Sequence, residues 1–379
     1  MRPRSDQAAS LGLECAPPSA VSRTQLPERN LDVLRSVAVL LVLLAHLIKA
    51  HAWIGDELAL WRIGQLGVLL FFVHTSLVLM SSLERQGDRP DWVFVFYLRR
   101  ALRIYPVCIV VVIVTTALSV PPHVATPLGS NVAVTPTFRE LFSNLALVQN
   151  LTGERDLQGV LWSLPIEVQM YLLLPIAYLI ARRSIAGVGL MILGLGALGL
   201  VVAHSSLPGM WLLSMMEYGP CFGAGVLAYA VLRSWRSAGT PAWSWIVVLP
   251  ALFPLFWLLD PNPTLPERAW PFCLAVGLAV PLARELPDTW LTRAAHRICT
   301  FSYGIYLLHV PVIWLAFDVL RRADGRVQWG VFAVGIVALP VLAYYGIERP
   351  CIEFGKRLVA RSHRLPLREQ RRESRVLAQ

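Results

Sequence analysis

Arg35 and His46 stand eleven positions apart in the run 31–46, whose remaining residues are apolar except Asp32 and Ser36. At 100° per residue that spacing is three turns plus about 20°, so on a helix both side chains share one face. They lie about 16 Å apart along the axis, half of a hydrocarbon core of roughly 30 Å. An ionised group there costs about 2.5–3.5 kcal/mol by insertion scales, which makes such a pair a functional-site hypothesis by default. A guanidinium holds an anion, and an imidazole moves a proton near neutral pH.

Further along, Arg99, Arg100 and Arg103 cluster where a polar loop enters an apolar run. Arg100 and Arg103 are three apart and share a helix face, a pairing suited to phosphate as well as to interfacial anchoring. The segment 161–171 places Trp162 and Ser163 before Glu167, with Ser163 and Tyr171 each four residues from that acid. Glu217 is a second acid inside an apolar run, and Tyr303, Tyr306 and His309 recur along 301–311. His74, Thr75 and Ser76 form a small polar island suited to gluing helices together. Glu348 and Arg349 read as an interfacial ion pair. The six cysteines are scattered singly, with neither a CxxC pair nor a disulfide framework, so no metal site is expected.

The elements carrying these residues must be membrane helices. The chain is 56% hydrophobic and 15% charged, far from a soluble domain. Ten spans are expected, at 31–52, 64–83, 102–121, 164–181, 185–203, 211–232, 243–259, 269–284, 299–320 and 328–348. The fold class is therefore all-α, a polytopic integral membrane protein. Arginine collects in alternate loops (Arg85, Arg89, Arg99 and Arg100; Arg182 and Arg183; Arg233 and Arg236; Arg284, Arg293 and Arg297), with Arg321, Arg322 and Arg326 as the exception. That alternation puts both termini in the cytoplasm and the chain in the plasma (inner) membrane. Residues 1–30 read as a disordered leader, 31–350 as the transmembrane domain and 351–379 as a basic tail. The formal charge of +10 then serves orientation and anionic lipid headgroups, and no nucleic-acid partner is implied. The longest outer segment, 121–160, contains a capping-box pattern at Thr137 and Glu140. Phe138, Leu141, Phe142, Leu145 and Val148 follow at helical spacing, an amphipathic helix on or in the outer leaflet.

Taken together and in order, these motifs resemble the acyltransferase-3 family of membrane O-acyltransferases, over about residues 31–350. The matching positions are Asp32, Arg35 and His46; Gly67, Phe71 and Phe72; Arg100, Arg103, Ile104 and Pro106; Trp162, Ser163, Leu164 and Glu167; Ser302, Tyr303, Tyr306 and His309; and Glu348 with Pro350. Where family members usually continue into a Ser-Gly pair, this chain has His74-Thr75-Ser76, which hints at a different acceptor pocket.

The resemblance implies transfer of an acyl group, often acetyl, from cytoplasmic acyl-CoA to a hydroxyl of a polysaccharide, a lipid-linked glycan or a small molecule. Acyl-CoA would be a donor substrate, with no tightly bound cofactor. His46, Arg35 and Glu167 are the expected catalytic residues, and Arg99, Arg100 and Arg103 the expected holders of CoA phosphates. Trp162, Ser163, Glu217, Tyr303 and His309 would bind the acceptor, with Glu167 or Glu217 reaching it from the outer side. Direct transfer and an acyl-histidine intermediate both remain open. The rival from another class is a transporter or flippase, which also uses buried His, Glu and Arg; against it stand the lack of internal duplication and of paired broken helices.

Overall fold

A computed structural model describes residues 26–51, 57–86, 89–122, 135–207, 209–234, 240–241, 244, 251, 254–258 and 266–362. Among these there is no β-strand, only an isolated bridge between Thr240 and Ala283. The helices are α1 (Glu28–His51), α2 (Glu57–Glu84), α3 (Trp92–Ala117), α4 (Phe138–Leu145), α5 (Gln149–Thr152), α6 (Ser163–Ala181) and α7 (Ile185–His204). A 3-10 turn (Met210–Tyr218) leads into α8 (Gly219–Ser234), and Pro266–Ala269 leads into α9 (Trp270–Leu282). Then come α10 (Trp290–Ile313) with a π-turn (Trp314–Val319), α11 (Gly325–Ala343) with a second π-turn (Tyr344–Glu348), and α12 (Arg349–Ser362).

Eight of the described helical segments are long and apolar enough to cross a membrane, so the protein is polytopic. The expected count of ten is corrected in one place and untested in another. The helix anticipated at 269–284 is the 13-residue α9, about 20 Å long and short of a straight crossing. Its Phe272 and Cys273 are fully buried against the bundle. The span expected at 243–259 falls mostly outside the described residues. Residues 28–30, assigned to the leader, already belong to α1, and the tail begins as the ordered helix α12. The segment Gly325–Ala360 runs 36 residues. At 1.5 Å per residue that is about 54 Å, so α12 projects beyond the hydrocarbon core. The bundle's outer surface is apolar, with Leu190, Leu193, Val334 and Val337 each more than 60% exposed, as a lipid-facing surface requires.

α1 lies between α2 and α10, and α2 continues onto α8. Gly67 makes the first contact possible: a Cβ there would sit 2.5 Å from the Ala38 carbonyl and 2.8 Å from Val42 Cγ2. Small residues let backbones approach where lipid supplies no hydrophobic force between helices. Gly225 on α8 does the same against Ser76 and Val73 of α2. The start of α1 is fixed by Asn30, which donates to the Arg284 carbonyl and accepts from Leu286 N–H. At that same end Asp32 meets His296 of α10 at 2.8 Å. Thr289 caps α10 with Thr292, each side chain taking the other's backbone N–H.

Candidate active site

Two cavities meet inside the bundle. The first is lined by Arg35, Thr75, Arg100, Arg103, Glu167, Tyr171, Ser302 and Tyr303, among others. The second is lined by His46, Lys49, Trp61, Gln65, Pro122, Gly159, Val160 and Trp162. Val68 and Tyr306 belong to both linings. The first lies toward the end of the bundle where α3 begins, here the basic end; the second lies toward the opposite end. A solvent-open groove adjoins the basic end, and Arg100 and Arg103 line it as well as the first cavity.

At the basic cavity, Arg35 Nε donates to Ser302 Oγ at 2.7 Å, and the Ser302 hydroxyl donates to the Cys299 carbonyl at 2.7 Å. The Arg35 guanidinium also stands 5.7 Å from the centre of the Phe71 ring. Both contacts fix its plane, leaving the remaining N–H groups for an anion. Arg103 faces Glu348 at 3.8 Å, and Glu348 is buried. The expected Glu348–Arg349 pair is therefore corrected. The π-turn Tyr344–Glu348 rotates Glu348 inward, while Arg349 bonds Glu353 at 2.8 Å on the exposed side. Arg100 Nε and Arg99 Nε are buried without a hydrogen-bond partner among the described residues.

Glu167 accepts a short hydrogen bond from Tyr171. It shares the basic cavity with three arginines and does not line the His46 cavity. Glu217 lines neither cavity. It lies in the turn against α7, where Trp270 Nε1 donates to its backbone carbonyl at 2.7 Å. Arg99 lines only the groove. Thr75 of the divergent His74-Thr75-Ser76 stretch lines the basic cavity, so the departure from the family pattern falls there and not in the His46 cavity.

In the His46 cavity, the His46 Nδ1 is 2.9 Å from the Val42 carbonyl four residues back. A carbonyl only accepts, so Nδ1 carries the proton, and in the neutral ring the lone pair then falls on Nε2. His309 packs edge-on against it, ring centres 4.9 Å apart. Its own Nδ1 donates to the Tyr306 carbonyl at 2.7 Å, and its Nε2 is buried without a hydrogen-bond partner among the described residues. Tyr306 braces the junction of the cavities: its hydroxyl donates to the Val160 carbonyl at 2.7 Å and accepts from Ser163 at 2.7 Å. Trp61, Trp162 and Tyr218 form an aromatic row, with centres 6.3 and 5.7 Å apart.

The roof of this cavity comes from the segment between α3 and α6, through Pro122, Gly159 and Val160. The Thr137–Glu140 capping box starts α4 as expected, and Phe138 and Phe142 stack on its exposed face. Buried Asn144 donates to the Arg155 carbonyl at 3.0 Å and accepts from Leu157 N–H at 3.0 Å. It thereby fixes the loop that delivers Gly159 and Val160. Lys49, Trp61 and Gln65 were not anticipated. Lys49 follows His46 by three and shares its face, and Gln65 follows Trp61 by four, a periodicity visible in the sequence.

Residues 28–345 match the family described as "Acyltransferase domain". Nodulation protein 10 of Rhizobium leguminosarum bv. viciae is 26% identical over 373 residues, covering 88% of this chain and 95% of the relative. Peptidoglycan O-acetyltransferase OatA of Listeria monocytogenes is 25% identical over 362 residues, covering 87% of this chain and 56% of the relative. No solved structure matches.

Proposed function

Because this chain belongs to the acyltransferase domain family and is a multi-pass membrane O-acyltransferase, we propose that it moves an acetyl group from coenzyme A to a carbohydrate hydroxyl. The donor enters at the basic end and the acceptor binds at the opposite end. With arginine-rich loops facing the cytoplasm of a plasma membrane, the donor comes from inside. The observation that carries the reading is the shared lining: arginines at one end, the His46 lone pair at the other, and Tyr306 at the junction.

Reach supports it. The pantetheine arm is about as long as four extended residues, roughly 14 Å. The axial step from Arg35 to His46 is about 16 Å. With phosphates held by Arg100 and Arg103, the thioester comes up beside Tyr306. There His46 Nε2 takes the proton of the acceptor hydroxyl. The freed oxygen attacks the thioester carbon, the C–S bond breaks, and the thiolate leaves with the proton that His46 returns. Arg35 helps hold and orient the donor in the basic cavity, and Glu167 balances the crowded arginines. His309 sets the His46 ring plane by its edge contact. Trp61 and Trp162, which line the His46 cavity, suit the apolar faces of sugar rings, while Lys49 and Gln65 suit their hydroxyls. That the relative OatA is a peptidoglycan O-acetyltransferase supports a glycan acceptor.

The test is mass spectrometry of surface glycans in a null strain carrying either wild type or His46→Ala. Wild type should restore an acyl mass increment, and His46→Ala should fall about 10²–10⁴-fold below it, the scale of a lost general base. Equal restoration by both would remove His46 from the mechanism. A null strain whose glycans lose no acyl group would remove the carbohydrate acceptor.

A further inference from the structure

The groove at the basic end has two walls, α3 and α12. Buried Gly355 lets α12 lie against Leu102, where a Cβ would come within 2.7 Å of Leu102 Cδ1. The groove's lining comprises Ser82, Arg99, Arg100, Leu102, Arg103, Ile352, Gly355 and Lys356, with no carboxylate among them. Its cations divide by position. Arg100 and Arg103 line both the groove and the basic cavity, so they stand at the neck between them. Arg99 and Lys356 line the groove alone, beyond the neck. Glu353, one turn before Lys356, is hydrogen-bonded to Arg349 and shares its charge among Arg349, Arg357 and Lys356.

A phosphopantetheine arm tethered to a carrier protein brings one phosphodiester, which the two neck arginines suffice to hold. Like charges crowded beyond the neck repel one another unless a further anion joins them. We propose that Arg99 and Lys356 bind the phosphomonoester on the ribose of the coenzyme A nucleotide, so that the far end of the groove selects free acyl-CoA over carrier-bound acyl groups. The proposal rests on the acyl-CoA reading above and deepens it. α12 thereby becomes part of the donor site. The selection works through an anion the competing donors lack, and the unmatched cations penalise them.

The experiment is steady-state kinetics of the full chain in nanodiscs with three donors: acetyl-CoA, 3′-dephospho-acetyl-CoA and acetyl-phosphopantetheine. In wild type, removing the 3′-phosphate should raise KM about ten-fold with kcat little changed, the low end for charge-assisted hydrogen bonds in a solvent-open groove. In Lys356→Gln the KM values of acetyl-CoA and its dephospho form should converge, and Lys356→Arg should restore the gap. Equal KM values in wild type, or a Lys356→Gln effect that is the same for both donors, would overturn the proposal and leave acyl-CoA as donor. If wild type consumes none of the three, the donor reading itself fails and takes the proposal with it.

A lipid headgroup could present the same phosphate chemistry. Nanodiscs of phosphatidylcholine alone, and with phosphatidylglycerol added, separate the two. A Lys356→Gln effect seen only as lost dependence on phosphatidylglycerol would assign the groove to lipid and overturn the proposal.

Discussion

Arg35 shows why residue type matters more than charge in this bundle. Its Nε is committed to Ser302 and its plane to Phe71, so only the fork of a guanidinium fills the site while still facing the cavity. Arg35→Lys keeps the charge and loses both contacts. Donor KM is expected to rise about ten-fold or more, the scale of one charge-assisted hydrogen bond, while the thermal midpoint stays near wild type. Donor-saturation kinetics beside a melting curve check this. Arg35 and His46 were legible from spacing alone, because eleven residues return a helix to nearly the same face. The surroundings of Glu167 and Glu348 were not. Periodicity says which face of its own helix a carboxylate occupies, but not which helix more than a hundred residues away it meets. Glu348 also lies in a π-turn, whose extra residue shifts the face that a 3.6-residue count predicts.

The helices carry their own tests. Gly67→Ala places a methyl against the Ala38 backbone, which cannot yield as a side-chain tip can. It should cost about 1–3 kcal/mol, the scale of overpacking, and lower the thermal midpoint in detergent. Gly194→Ala, on α7 with nothing within 4 Å of its added methyl, should leave that midpoint unchanged or raise it. In α4, the Thr137 backbone N–H, helped by the Thr137 hydroxyl and Arg155, holds the Glu140 carboxyl below its ordinary value. A depressed carboxylate stabilises above its unfolded pKa, about 4.3, and the contribution disappears as pH falls through the folded value. Amide-exchange protection of α4, corrected for intrinsic rates, should thus hold from pH 8 to about 5 and decline below about 4. Thr137→Ala should reduce that protection already at pH 7, by about 1 kcal/mol. The capping box was readable because it is local, its two members only three positions apart. The service it performs was not, since Asn144 pins the loop over His46 through contacts that depend on the folded path of 155–161.

The molecule as a whole is a helical bundle whose two cavities, on the proposed function, serve the donor at one end and the acceptor at the other. Reconstituted in sealed vesicles, protein oriented with α12 outward should consume externally added acetyl-CoA and acetylate only acceptor glycan trapped in the lumen. Product formed solely on the donor's side would show that both substrates meet at one surface. The number of spans was the least legible quantity, because α9 is as apolar as its neighbours yet too short for a straight crossing. Tyr306, held by Ser163 on one side and the Val160 carbonyl on the other, belongs to both cavities and gives each a wall. A living membrane stores energy as a difference in proton activity and voltage across its faces, and an uninterrupted column of water through this bundle would drain it. On the proposed function, a phenol ring clamped where the two chambers touch would let chemistry pass between the compartments while keeping the insulation between them intact.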